Sequence, residues 1–155
     1  MPRTSTKLSL AERCRKGTYR LEDQVGFLLR RAYQRASANL VDRIGIYDLT
    51  APQFATLVRL YERGKISQNL LGRLVVMEPA NIRDVVQRLK RRHLVVTERD
   101  PDDGRQVLVR LAPPGRSLVQ ELLPVEMECT AKTLAPLTQA ERKLLYDLLH
   151  RLADG

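Results

Sequence analysis

Three acids crowd one turn of an otherwise basic chain: Asp100, Asp102 and Asp103, in the run ERDPDDGR over residues 98–105. Carboxylates beside a glycine can open a calcium loop or supply a pair for acid–base work. A calcium loop starting at Asp100 needs an oxygen ligand at its fifth position and a Glu at its twelfth. Gly104 and Leu111 stand there instead. Acid–base work needs a pocket, and the neighbours here are turn formers. The cysteines, Cys14 and Cys129, lie far apart, form no Cys-x-x-Cys, and keep no zinc spacing with His93 or His150. Two reduced thiols are the plain expectation. The alternative is a thiol-based redox switch through Cys14 or Cys129. Arg13, Arg15 and Lys16 surround Cys14, and such cations favour a thiolate. No Ser-His-Asp or Cys-His spacing and no phosphate loop occur in the sequence. No enzyme, metal or cofactor is expected.

The charge balance points elsewhere. Lys and Arg number 27 against 18 Asp and Glu, a net charge of +9. Such an excess suits a polyanionic partner, nucleic acid first. The 155 residues suit one domain with a real core. Aromatics make up only 5% and Trp is absent, which favours helices over a sandwich of sheets. No apolar run reaches the roughly 18–20 residues of a membrane span. The N-terminal stretch is polar and basic, without the apolar centre of a secretory signal, so a cytoplasmic protein is expected.

The elements that must position these groups follow from periodicity. Apolar residues recur at helical spacing from Leu21 to Ile44, with Arg30, Arg31 and Arg35 on the opposite face. Thr50 and Gln53 fit a capping box for a second helix that should stop at Gly64. Ser67 opens a short third helix through Leu74. After the tight connection Val75-Val76-Met77, Pro79 opens a fourth helix reaching Arg92. The period then changes to two: 94–98 and 106–111 read as strands joined by the acidic turn. A helix from Pro113 to Lys132 follows, which Pro124 should bend or break. Thr138 and Glu141 form a second capping box before a leucine-rich last helix. The expected fold is mainly α: a winged helix-turn-helix with long N- and C-terminal helices. Its parts are an N-terminal arm and helix (1–46), the winged region (47–112) and the C-terminal helices (113–155). The leucine stripes at both ends exceed what a small winged region can bury, so they need each other or a second subunit.

The run from Leu49 to Leu118 resembles the MarR family of bacterial regulators. Its most specific element is the wing pattern Asp103-Gly104-Arg105, then QVLVR, then Leu111-Ala112. The family has Thr where Ala112 stands, so a helix cap is forfeited. The resemblance implies a homodimer whose terminal helices intertwine and whose winged regions face adjacent major grooves of a pseudo-palindromic, double-stranded operator. It also implies a repressor released by a small aromatic acid. The first helix looks most like the subgroup that represses nicotinate degradation, which implies 6-hydroxynicotinic acid as effector.

Roles follow, partly from chemistry and partly from the resemblance. Ser67 and Gln68, at the start of the third helix, would hold a phosphate. Pro79 and Ala80 begin the recognition helix. Asn81 and Arg83 are the expected base contacts, since Asn matches adenine and Arg guanine. Gln87 would reach a base or phosphate, and Arg88 and Arg91 phosphates or nearby acids. Asp84 departs from the family's common Arg; an i, i+4 pair with Arg88 would neutralise it. His93 stands where relatives close the helix with Gly and would have to turn left-handed. In the wing, Arg105 is expected in the minor groove and Arg99 on the DNA backbone, with Asp103 bracing Arg105 or a turn amide. The effector contacts expected from the resemblance are Arg20, Gln24, Phe27, Arg31, Tyr47 and Thr50, near Pro52 and Phe54. Ordinary core packing competes for the two Phe residues.

Overall fold

The structure is a computed structural model and describes residues 9, 12, 15, 17 and 19–155. The chain divides into two compact units, Met1–Arg35 and Ala36–Gly155. Helix α1 spans Val25–Ile44. It starts later than the apolar periodicity suggests. Leu21–Asp23 close as a separate 3-10 turn, whose N-cap Arg20 makes no side-chain cap bond. Gln24 is extended, and its carbonyl accepts the first helical bond, from Leu28 N–H at 3.0 Å. After α1 a second 3-10 turn, Gly45–Tyr47, ends on Asp48 in the left-handed region (φ 54°).

Helix α2 (Ala51–Arg63) is closed at its start by the expected capping box. Gln53 N–H donates to Thr50 Oγ1 at 3.4 Å, and Thr50 N–H to Gln53 Oε1 at 3.0 Å. It stops at Gly64, where φ is 72°. Strand β1 (Ile66–Ser67) precedes α3 (Gln68–Leu74), and α4 (Pro79–Arg91) follows the turn. Strands β2 (Val95–Arg99) and β3 (Val107–Leu111) form the wing. Each begins one residue later than the alternation in the sequence. β3 lies at the centre of an antiparallel sheet in the order β1–β3–β2, with Val109 opposite both Thr97 and Ile66. Two-residue β1 was beyond the reach of an alternating pattern.

The core gathers one face of each element. Phe54, Leu57 and Leu60 come from α2, Leu71 from α3, and Ile82, Val86 and Leu89 from α4. Val95 and Val109 come from the sheet; Val119 and Leu122 from α5, the helix Pro113–Leu134. Each such burial contributes roughly 1.5–3 kcal/mol. Helix α5 runs unbroken through Pro124, contrary to a break there. Both Pro124 and Gln120, whose carbonyl loses its helical donor, are exposed. Solvent can therefore serve that carbonyl. At the start of α5, Gly115 lies against β2's approach. A methyl there would overlap the Leu94 carbonyl oxygen and stand 3.3 Å from Leu111 Cδ2.

Helix α6 (Gln139–Asp154) starts with the second capping box, Thr138 N–H to Glu141 Oε2 at 2.8 Å. That bond holds the Glu141 carboxyl below its ordinary pKa. Along α6, Leu144, Leu148, Leu149 and Leu152 are 38–63% exposed. A leucine face of that length needs cover, as the sequence demands.

The turn between α3 and α4 carries backbone strain. Val76 sits at φ 56° and is 92% exposed. A β-branched residue there costs roughly 1–2 kcal/mol. Val76→Gly removes that strain but loosens the unfolded chain by about 0.4–1 kcal/mol. The expected net is a gain of roughly 0.5 kcal/mol. Urea unfolding reads it; a lower midpoint at unchanged slope would show the turn to be unstrained.

Candidate nucleic-acid interface

Helix α4 separates its two faces cleanly. Ile82, Val86 and Leu89 are buried, while Asn81, Arg83, Asp84, Gln87, Arg88 and Arg91 are all exposed. The sequence periodicity demands this division, and the structure leaves every expected base-reading residue exposed, with Asn81 and Arg83 at opposite edges of the exposed face. Pro79 and Ala80 open the helix and are exposed. The expected Asp84–Arg88 ion pair is not formed. Ion pairs among the described residues join Arg20–Glu22, Arg43–Glu128, Arg59–Glu62 and Lys65–Glu98. Both side chains lie in open solvent, where an i, i+4 pair gains only about 0.3–0.5 kcal/mol.

Ser67 is the N-cap of α3, its Oγ accepting Leu70 N–H at 3.2 Å. Its O–H stays available to donate. Ser67 and Gln68 are both half-buried at the entry of that helix.

The acidic turn is built by its own carboxylates. Asp100 Oδ1 accepts Asp102 N–H at 2.9 Å, and Asp103 Oδ1 accepts Arg105 N–H at 3.1 Å. Asp103 Oδ2 also accepts from Gln106 Nε2 at 3.3 Å. Asp103 thus braces the Arg105 backbone amide rather than its guanidinium. That guanidinium is exposed and makes no hydrogen bond or ion pair with the described residues. Arg99 behaves differently: its Nη1 donates to the Gly104 carbonyl at 2.9 Å. The sequence suggested only a DNA role for Arg99, but its side chain ties down the wing tip. Towards the turn end of the wing's strands Lys65 Nζ lies 2.7 Å from Glu98 Oε1 and holds that carboxyl below its ordinary pKa. No periodicity marks Lys65; the pairing exists because β1 brings the residue beside the sheet. Among the described residues no group of three or more His, Cys, Asp or Glu could hold a metal.

The effector candidates fall in both units. In the first, Arg20 pairs with Glu22 at 3.9 Å, and Gln24 Nε2 donates to the Arg20 carbonyl at 3.3 Å. Phe27 is half-buried and Arg31 exposed. In the second, the Tyr47 hydroxyl donates to Glu121 Oε1 at 2.8 Å, which raises its pKa. Thr50 is engaged as a helix cap. Phe54 is core, at 1% exposure. A cleft of about 480 Å³ is lined by Asp48, Thr50, Gln53, Arg88, Arg91 and Arg92, among others. Cys14 lies outside the described residues. Cys129 is buried, its Sγ 3.2 Å from the Asn39 carbonyl oxygen.

A short helix, a turn, a second helix with an exposed polar face, and a two-stranded arm carrying an outward arginine define a winged helix-turn-helix DNA-binding protein. Known proteins agree. The family described as transcriptional regulator SarA/Rot matches residues 44–122. The transcriptional repressor NicR of Pseudomonas putida is 36% identical over 137 residues, covering 88% of this chain and 87% of NicR. The structure of a probable transcriptional regulator from Pseudomonas aeruginosa is 48% identical, with a TM-score of 0.80, covering 86% of this chain and 99% of its own. BpsR of Bordetella bronchiseptica, whose DNA binding is regulated by 6-hydroxynicotinic acid, is 40% identical with a TM-score of 0.83, covering 88% of this chain and 98% of its own. The chain belongs to the MarR-type transcriptional regulators.

Proposed function

We propose that the protein is a cytoplasmic, homodimeric repressor that leaves a pseudo-palindromic operator when it binds a small aromatic acid, 6-hydroxynicotinic acid first. The likeness to BpsR carries the effector reading, since it extends over 88% of this chain at 40% identity. NicR, itself a repressor, supports the direction of control. The exposed leucine face of α6 supports a second copy of the chain as its cover. No helix among the described residues is long and apolar enough to cross a membrane. Regulation rather than catalysis is the activity.

In this proposal Asn81, Arg83 and Gln87 read bases from the major groove. Ser67, Gln68, Pro79, Ala80, Arg88 and Arg99 follow the DNA backbone, and Arg105 enters the minor groove. Arg20, Gln24, Phe27 and Arg31 in the first unit, and Tyr47 and Thr50 in the second, are proposed effector contacts. An aromatic acid asks for a guanidinium, a hydroxyl and an apolar wall.

The test is a titration. A duplex selected by the protein from a random pool is bound, and 6-hydroxynicotinate, nicotinate and benzoate are added in turn. Release by the hydroxylated acid at concentrations where benzoate has no effect is expected. Release by none of the three overturns the effector reading. Release by peroxide instead would restore the thiol switch.

A further inference from the structure

Three arginines near the end of the recognition helix line one cleft, and Arg92 is the one hydrogen-bonded across it. Arg88 and Arg91 are exposed. Arg92, the C-cap of α4, is half-buried and reaches back to the bend between α1 and α2. Its Nη1 donates to the Asp48 carbonyl at 2.6 Å and its Nη2 to the Tyr47 carbonyl at 2.8 Å. Two donors on one planar fork grip two consecutive carbonyls, a geometry that a lysine ammonium does not reproduce.

Both sides of this contact are fixed. On the α4 side His93 is left-handed (φ 58°), and its N–H donates to the Lys90 carbonyl at 2.9 Å. The helix therefore ends at one defined residue, and Arg92 leaves it in one direction. On the other side Asp48 is left-handed too, and its N–H closes on the Gly45 carbonyl at 2.9 Å. The gripped segment has a second tether, since the Tyr47 hydroxyl donates to Glu121 of α5 at 2.8 Å. One short bend is thus held by the end of the recognition helix and by the long helix α5.

We propose that Arg92 is a positioning residue for operator recognition. It touches no DNA. It sets the angle at which α4 presents Asn81, Arg83 and Gln87, and through Tyr47 and Glu121 it couples that angle to α5. A shift of α5 is passed to the recognition helix through these bonds. This rests on the DNA-binding, dimeric reading above.

The experiment uses the full chain and a duplex that the wild-type protein selects from a random pool. Affinity is measured over a range of salt for that duplex and for versions with one base pair inserted or removed at its centre. Arg92→Ala, Arg92→Lys and Tyr47→Phe are compared with wild type, with urea midpoints recorded for each. Arg92→Ala is expected to lose at least about tenfold in affinity, comparable to one mismatched base pair. Its salt dependence should match wild type, and its preference for the selected spacing should weaken. Arg92→Lys keeps the charge and should resemble Arg92→Ala. Tyr47→Phe keeps the carbonyl grip, folds, and should weaken only the spacing preference.

A phosphate contact predicts otherwise: the salt slope falls by roughly 0.9 for each charge removed, and Lys restores it. Either result overturns the positioning role. So does a loss of affinity that follows the urea midpoint while the spacing preference stays intact, or a Tyr47→Phe protein with unchanged spacing preference if Arg92→Ala does not fold. If the wild-type chain enriches no duplex, DNA binding itself fails, which is visible before any variant is made.

Discussion

Arg105→Ala is expected to weaken operator binding by about 30-fold, while the protein keeps its fold and its dimer. That is about 1 kcal/mol for each of the two wings of the proposed dimer, the lower end for a specific arginine contact. The side chain has no structural duty to lose. Its guanidinium is exposed, and Asp103 holds the residue through the backbone amide, at 3.1 Å, which alanine retains. The loop should therefore stand unchanged with its cation removed. Fluorescence anisotropy with a selected duplex at moderate salt measures the loss, and urea unfolding checks the fold. Unchanged affinity would remove Arg105 from the interface. A loss of stability alongside would mean that the guanidinium has a partner inside the protein.

Gly115→Ala should cost about 3 kcal/mol of stability, the upper end for overpacking. An added methyl would collide with the Leu94 carbonyl oxygen. That oxygen is backbone, and it also accepts the Ala112 N–H at 3.0 Å, so it cannot swing aside. In an open helix Ala would gain about 1 kcal/mol over Gly. Here the collision outweighs the propensity. The contact joins the base of the wing to the first turn of α5, so the variant should also bind DNA less well. Urea unfolding reads the stability directly. A midpoint equal to wild type would show that α5 can lift from the sheet without penalty.

These cases mark how far the sequence could be read. The two capping boxes, the buried stripe of α4 and the exposed face beside it all follow from local spacing, and the structure reproduces them. The resemblance to MarR-type regulators rested on the Asp103–Arg105 pattern and holds. What escaped was decided by contacts across distance. β1 has two residues and exists only because β3 pairs with it. Arg92 reads as one more basic residue in the run 88–92, and only the bend at Tyr47–Asp48 gives it a different partner. Gly115 reads as a helix starter, and nothing nearby in sequence announces the Leu94 carbonyl. The Asp84–Arg88 pair failed for the opposite reason: its spacing is right, but solvent removes most of the incentive to form it.

β1 also has a mechanical consequence. It is joined directly to α3 and bonded to β3, with Ser67 opposite Leu108. Helix α3 and the wing are thereby joined along the middle of the hairpin, and the Lys65–Glu98 contact adds a brace. The separation between the tip at Arg105 and the exposed face of α4 then behaves as a fixed ruler. On the effector reading proposed above, the arm would not fold away from the groove on its own. The effector would turn the ruler as one piece, so that both of its ends miss their marks together.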